Sequence, residues 1–165
     1  MEELALLMSK IDDTIATVFR QISMNRFEES MHIARRNEGE LTTERFSELW
    51  KIEQEKLYGT SVELTPEYSQ WWCYIPHFLH TPGYVYAYAF GELLVLALYE
   101  EYQRKPEGFA DRYLTLLEAG GSEWPHQLIA RMGLDIQDSE FWQKGLASFE
   151  RMILRAEELY TQVKH

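Results

Sequence analysis

YVYAYAFGELLVLALY, residues 84 to 99, is the stretch whose reading decides the fold. Only Gly91 and Glu92 interrupt its apolar and aromatic run. These sixteen residues are too few for a membrane span, which needs about 20, and too many for an ordinary buried strand. Ala, Leu and Glu favour helix over sheet. A helix that is apolar on every side must be surrounded by other protein, so the stretch predicts a central buried helix over about 84–104. Its leading turns carry Tyr84, Tyr86 and Tyr88, and Pro76-His77-Phe78-Leu79-His80 lies just upstream. Hydroxyls and imidazoles at the start of a buried helix require polar partners. Those partners are water, a substrate or one another.

On the N-terminal side, Leu4, Leu7, Met8, Ile11, Ile15, Val18, Phe19 and Ile22 recur at helical spacing. They predict a helix from Glu2 to about Asn37, stopped by Gly39. Thr42 is the N-cap of a second helix whose inner face is Phe46, Leu49, Trp50 and Leu57, ending at Gly59. Pro66 opens a short helix through Tyr68, Trp71 and Trp72 that runs into Pro76, and residues 77–83 form a turn. Beyond the central helix, one helix spans about Glu107 to Ala119 before Gly120-Gly121, and a short one runs from Pro125 to Met132. The last starts near Asp138 or Ser139 and continues to about Gln162, with Phe141, Trp142, Leu146, Phe149, Ile153 and Leu159 as its buried stripe. No alternating strand pattern, repeat or low-complexity linker is present. The fold class is therefore all-α: an irregular multi-helix bundle in a single helical domain, 1–165, built around the central apolar helix.

Composition narrows the function. Aromatic residues make up 14% of the 165, ample for a packed core. A formal charge of −11 repels phosphate backbones and anionic lipid, so neither nucleic acid nor a membrane surface is an expected partner. Cys73 is the single cysteine, which rules out an internal disulfide framework and fits a reducing, cytoplasmic compartment. The N-terminus is acidic where a secretory signal is basic, and it reads as the start of a helix.

Metal ligation is one possible chemistry for the histidines and the cysteine. The histidines are His32, His77, His80, His126 and His165, and none begins an H-E-x-x-H motif. Cys73, His77 and His80 offer three soft ligands, but Pro76 and Pro82-Gly83 break the helix that would present them, and no fourth ligand is evident. The competing reading makes Cys73 a small buried hydrophobe, and no metal is expected in this chain. A nucleophile elbow and a glycine-rich phosphate loop are both lacking. Glu92 is either a functional carboxylate or the partner of a buried Arg or Tyr. In the His77/Tyr84/Tyr86/Tyr88 group, Tyr84 and Tyr88 share a helix face and Tyr86 points elsewhere. Two phenols beside an imidazole suit a developing oxyanion or a peptide carbonyl, because they donate hydrogen bonds without a full charge. The alternative is that the rings are packing and their hydroxyls are satisfied internally.

The segment WWCYIPHFLHTPGYVYAYAFG resembles the P-H-F…P-F-Y-x-Y-Q-Y-A-x-G signature of the oligoendopeptidase F group of thimet-type zinc peptidases. Phe19-Arg20-Gln21, Phe27-Glu28, His32 and Gly39-Glu40-Leu41-Thr42 resemble the family segment preceding it. Leu117, Gly120-Gly121-Ser122, Gly133-Leu134-Asp135, Phe141-Trp142 and Gly145-Leu146 resemble the segment following it. His80, Gly83 (usually Phe) and Ala87 (usually Gln) depart from the pattern. The resemblance implies the C-terminal part of a peptidase catalytic domain facing a peptide channel. Its zinc would be held by H-E-x-x-H and a later Glu upstream of the matched region. It also implies catalytic roles, in oxyanion stabilisation and substrate binding, for His77, Tyr84 and Tyr88, and further substrate contacts from His80 and Tyr86. The expected partners are short peptides, with a zinc-bearing complementary half or self-association. Zinc belongs to the complete family enzyme, and this chain alone is expected to be inactive. The rival expectation is a non-enzymatic helical peptide-binding or scaffold protein derived from the same fold.

Overall fold

The computed structural model describes residues 1–164; His165 lies outside the described residues. All regular structure among them is helical. The elements are α1 (Glu2–Thr14), a π-helical segment (Ile15–Arg20), α2 (Gln21–Glu38), α3 (Thr43–Tyr58), a 3-10 helix (Pro66–Tyr74), α4 (His77–His80), α5 (Tyr86–Arg104), α6 (Phe109–Ala119), α7 (Pro125–Ala130) and α8 (Ser139–Lys164). The boundaries follow the punctuation in the sequence. The Thr42 side chain accepts the Arg45 N–H at 3.2 Å, capping α3. Gly39 and Gly120 turn the chain with φ of 88° and 51°, a region that glycine enters without steric cost.

Two compact units are formed. Residues 13–90 make one, and residues 1–12 with those from Gly91 onward make the other. In the first, α2 packs on α3, and α3 packs on the 3-10 helix. Met24, Phe27, Ala34, Leu49, Trp50, Ile75 and Val85 form its core. Phe27 meets Trp50 edge-on at 5.3 Å and Phe78 at 5.1 Å, the offset geometry that aromatic pairs prefer. Beneath them Gln54 donates to Ser23 Oγ at 2.7 Å and accepts the Tyr68 hydroxyl at 3.2 Å, so the buried amide is satisfied. Burial, and then its hydrogen-bonding interaction with Tyr58, push the Tyr68 phenol well above its usual range, so it remains a neutral donor.

In the second unit Leu98, Phe109 and Met132 form one core cluster, joined by Leu94, Tyr113, Leu116 and Leu134. Lys10 pairs with Glu92 at 2.8 Å, and Arg155 pairs with Glu3 at 2.9 Å. Glu92 therefore has the charged partner that one of its two readings required, although that partner is a lysine. Gly145 lets α8 approach α5 closely: a Cβ there would sit 2.8 Å from the Leu93 carbonyl oxygen.

Three expectations need correction. Ile15 and Ile22 are 40% and 41% exposed and Met8 is exposed as well, so the apolar stripe of the first helical run is not buried throughout; residues 15–20 of that run are π-helical. Helix α5 is not covered on every side, since Val95, Tyr99 and Tyr102 are exposed. With Phe109 and Tyr113 they line an apolar cleft of about 370 Å³. Cys73 is exposed rather than buried, because the 3-10 helix that carries it buries none of its residues. Among the described residues, no helix is long and apolar enough to cross a membrane.

Candidate functional site

The site is built at the junction of α4 and α5, within residues 13–90. Pro76 starts the single turn of α4, where the His80 and Leu79 N–H groups bond to the Pro76 carbonyl at 2.9 and 3.1 Å. His77 is thereby presented from the first position of that turn. Pro82-Gly83 then reverses the chain, with Gly83 at φ 75°. Tyr84 stands just ahead of α5, its carbonyl accepting the Ala87 N–H at 2.9 Å. Val85, fully buried in the core, pins the backbone immediately after it.

This brings His77, Tyr84 and Tyr88 together. The His77 Nε2 and the Tyr88 hydroxyl are 3.0 Å apart, and the imidazole tautomer decides which of them donates. The His77 and Tyr84 rings lie parallel within 3° at 6.3 Å between centroids. Tyr88 stands perpendicular to both, at 5.6 Å from His77 and 5.5 Å from Tyr84. Tyr84 and Tyr88 share a face as their spacing requires. They are 46% and 37% exposed, so the phenols are not sealed inside the core.

His80 and Tyr86 stand differently. Both are exposed, and neither makes a ring contact or hydrogen bond with the trio among the described residues. Cys73, His77 and His80 do not converge: among the described residues there is no group of three or more His, Cys, Asp or Glu that could hold a metal ion.

Glu28 is the residue whose part in this region the sequence did not reveal. It lies on α2, is 3% exposed, and accepts the Gly83 N–H at 2.6 Å through Oε1. The signal was present only as the Phe27-Glu28 pair, with nothing to indicate a contact 55 positions away.

The family model described as Peptidase family M3 matches residues 2–148. The plasmid-encoded oligoendopeptidase F of Lactococcus lactis subsp. cremoris is 32% identical over 164 residues, 99% of this chain and 27% of that protein. Oligopeptidase PepF of Bacillus subtilis is 30% identical over 164 residues, 99% of this chain and 24% of its own length. Among solved structures, oligoendopeptidase-F from Enterococcus faecium superposes with a TM-score of 0.87 at 30% identity, over 96% of this chain and 30% of that one. The chain thus spans about a quarter of the length of the curated relatives it matches.

Proposed function

The chain belongs to peptidase family M3, and from that premise we propose that it is the C-terminal portion of an oligoendopeptidase F-like zinc peptidase acting on short peptides in the cytoplasm. In this reading Tyr84 and Tyr88 donate to the carbonyl of a bound peptide and to the oxyanion that forms on its attack. Neutral phenols suit that task, since they stabilise developing charge without holding the ground state as tightly as a cation would. With its proton on Nε2, His77 donates to the Tyr88 oxygen across the 3.0 Å contact, leaving the phenolic proton for substrate, and it stacks on Tyr84, so both donors are held before substrate arrives. That three-ring arrangement, exposed at one edge, is the observation that carries the reading. His80 and Tyr86 would meet substrate further along the same surface. Hydrolysis also needs a metal-activated water and a general base, which the reading assigns to a zinc-bearing portion of the complete enzyme.

The test is peptide binding and cleavage by the purified chain. A fluorescein-labelled nonapeptide is expected to bind, and Tyr84→Phe is expected to weaken binding about tenfold, the value of one hydrogen bond. A quenched fluorescent peptide with zinc added should stay intact with the chain alone. It should be cleaved when the zinc-bearing portion of the Bacillus subtilis relative is supplied, with Tyr84→Phe lowering that rate about a hundredfold. Peptide binding by the chain with no cleavage when the zinc-bearing portion is supplied would favour the peptide-binding scaffold instead. Zinc-dependent cleavage by the isolated chain would refute the division of labour proposed here.

A further inference from the structure

Two adjacent residues of α2 grip both ends of the segment that carries the donors. The Phe27 ring packs on Phe78, the neighbour of His77, at 5.1 Å. The Glu28 carboxylate holds the N–H of Gly83, the neighbour of Tyr84, at 2.6 Å. Between these grips the chain makes one helical turn and the Pro82-Gly83 reversal, and His77 and Tyr84 emerge with parallel rings. A buried carboxylate bonded to a single amide is an expensive way to close a turn. Glu28 Oε2 has no protein partner among the described residues, and His32 Nε2 stands 3.9 Å from Oε1. Simple packing at this position would be served better by an apolar side chain, since an underbonded buried carboxylate costs several kcal/mol on general grounds. What the carboxylate provides, and an apolar side chain does not, is a directional hold on one backbone amide.

We propose that Glu28 is a positioning residue for the peptide site, setting the backbone of the Pro82-Gly83 turn so that Tyr84 stacks on His77. The inference rests on the reading of His77 and Tyr84 as substrate donors, but its structural half can be tested without any peptide. Reach is the decisive variable. Glu28→Asp keeps the charge and withdraws the carboxylate by one methylene, beyond a 2.6 Å bond to Gly83. Glu28→Gln keeps the reach, and its side-chain oxygen still accepts the Gly83 N–H.

The experiment is amide and aromatic NMR on the full chain, paired with the labelled-nonapeptide titration. In the wild type the Gly83 amide proton should resonate far downfield and exchange slowly. Glu28→Asp should speed that exchange at least tenfold, shift the His77 and Tyr84 ring resonances as the stack is lost, and weaken peptide binding about tenfold. Glu28→Gln should leave the ring resonances in place and binding within about twofold. Ring resonances that stay at wild-type positions in Glu28→Asp would overturn the proposal, as would Asp and Gln variants equally perturbed. An unprotected Gly83 amide in the wild type overturns it even if the Asp variant fails to fold. Ring signals that move as expected in a chain that binds no peptide would uphold the positioning role and sink the substrate reading.

Discussion

At the level of single residues, Gly83 shows how much of the site depends on backbone conformation. No side chain crowds the space a Cβ would occupy there, yet φ is 75°, a left-handed value that a substituted residue adopts at a cost of about 1–2 kcal/mol. Gly83→Ala is therefore expected to lower stability by about 1 kcal/mol in urea titrations, with an unchanged m-value. The family signature usually places Phe at this position. Its absence agrees with the turn observed, because any side chain is strained at the left-handed φ that Gly83 adopts. The pairing of Tyr84 with Tyr88 was legible in the sequence, because residues four apart meet where a chain winds into a helix, and Tyr84 stands at the entry to α5. Glu28 was not, because a contact between an α2 side chain and a distant amide leaves no local pattern.

Helices make up the next scale, and here the sequence spoke through its stops and starts. Thr42, Gly59, Pro66, Gly120 and Pro125 all stand where they were expected, because capping and φ preferences are local physics. Thr42→Ala should cost about 1 kcal/mol through loss of the bond to the Arg45 N–H, measurable as a lowered melting temperature. What failed was periodicity. The π-helical segment breaks the 3.6-residue rhythm within one continuous helical run, and the residues around Trp71 wind as a 3-10 helix. Both follow from hydrogen-bond choices that hydrophobic spacing does not encode. Close packing of α8 on α5 gives a sharper test. Gly145→Ala places a methyl against the Leu93 carbonyl, so the backbone must shift, and a loss of about 1–3 kcal/mol is expected by chemical denaturation.

For the molecule as a whole, charge sets the response to acid. Glu101 is buried, which by itself raises its pKa, but hydrogen bonds from Lys144 and Arg104, reinforced by their charges, outweigh this and hold the carboxyl below its ordinary value. A carboxylate depressed in the folded state stabilises fully above the unfolded pKa of about 4.3 and loses that contribution as pH falls through its lower folded pKa. Melting temperature should therefore hold steady near neutrality and fall below about pH 4.5. Lys144→Met should lower the neutral plateau and make the acid decline shallower, because Glu101 then titrates closer to its unfolded value. Circular dichroism melts between pH 3 and 7 would decide this, and an unchanged slope would remove Glu101 from the account.

The exposed 3-10 turn has a practical consequence for any attempt to size this protein. Its one sulfhydryl faces solvent on every copy, so air oxidation can bridge two molecules through a single Sγ–Sγ link. Chromatography without reductant would then report a covalent pair that owes nothing to surface complementarity. With reductant removed and a maleimide dye supplied, the same atom becomes a unique attachment point four positions ahead of His77. A fluorophore there would register peptide arrival directly, without touching any of the three rings.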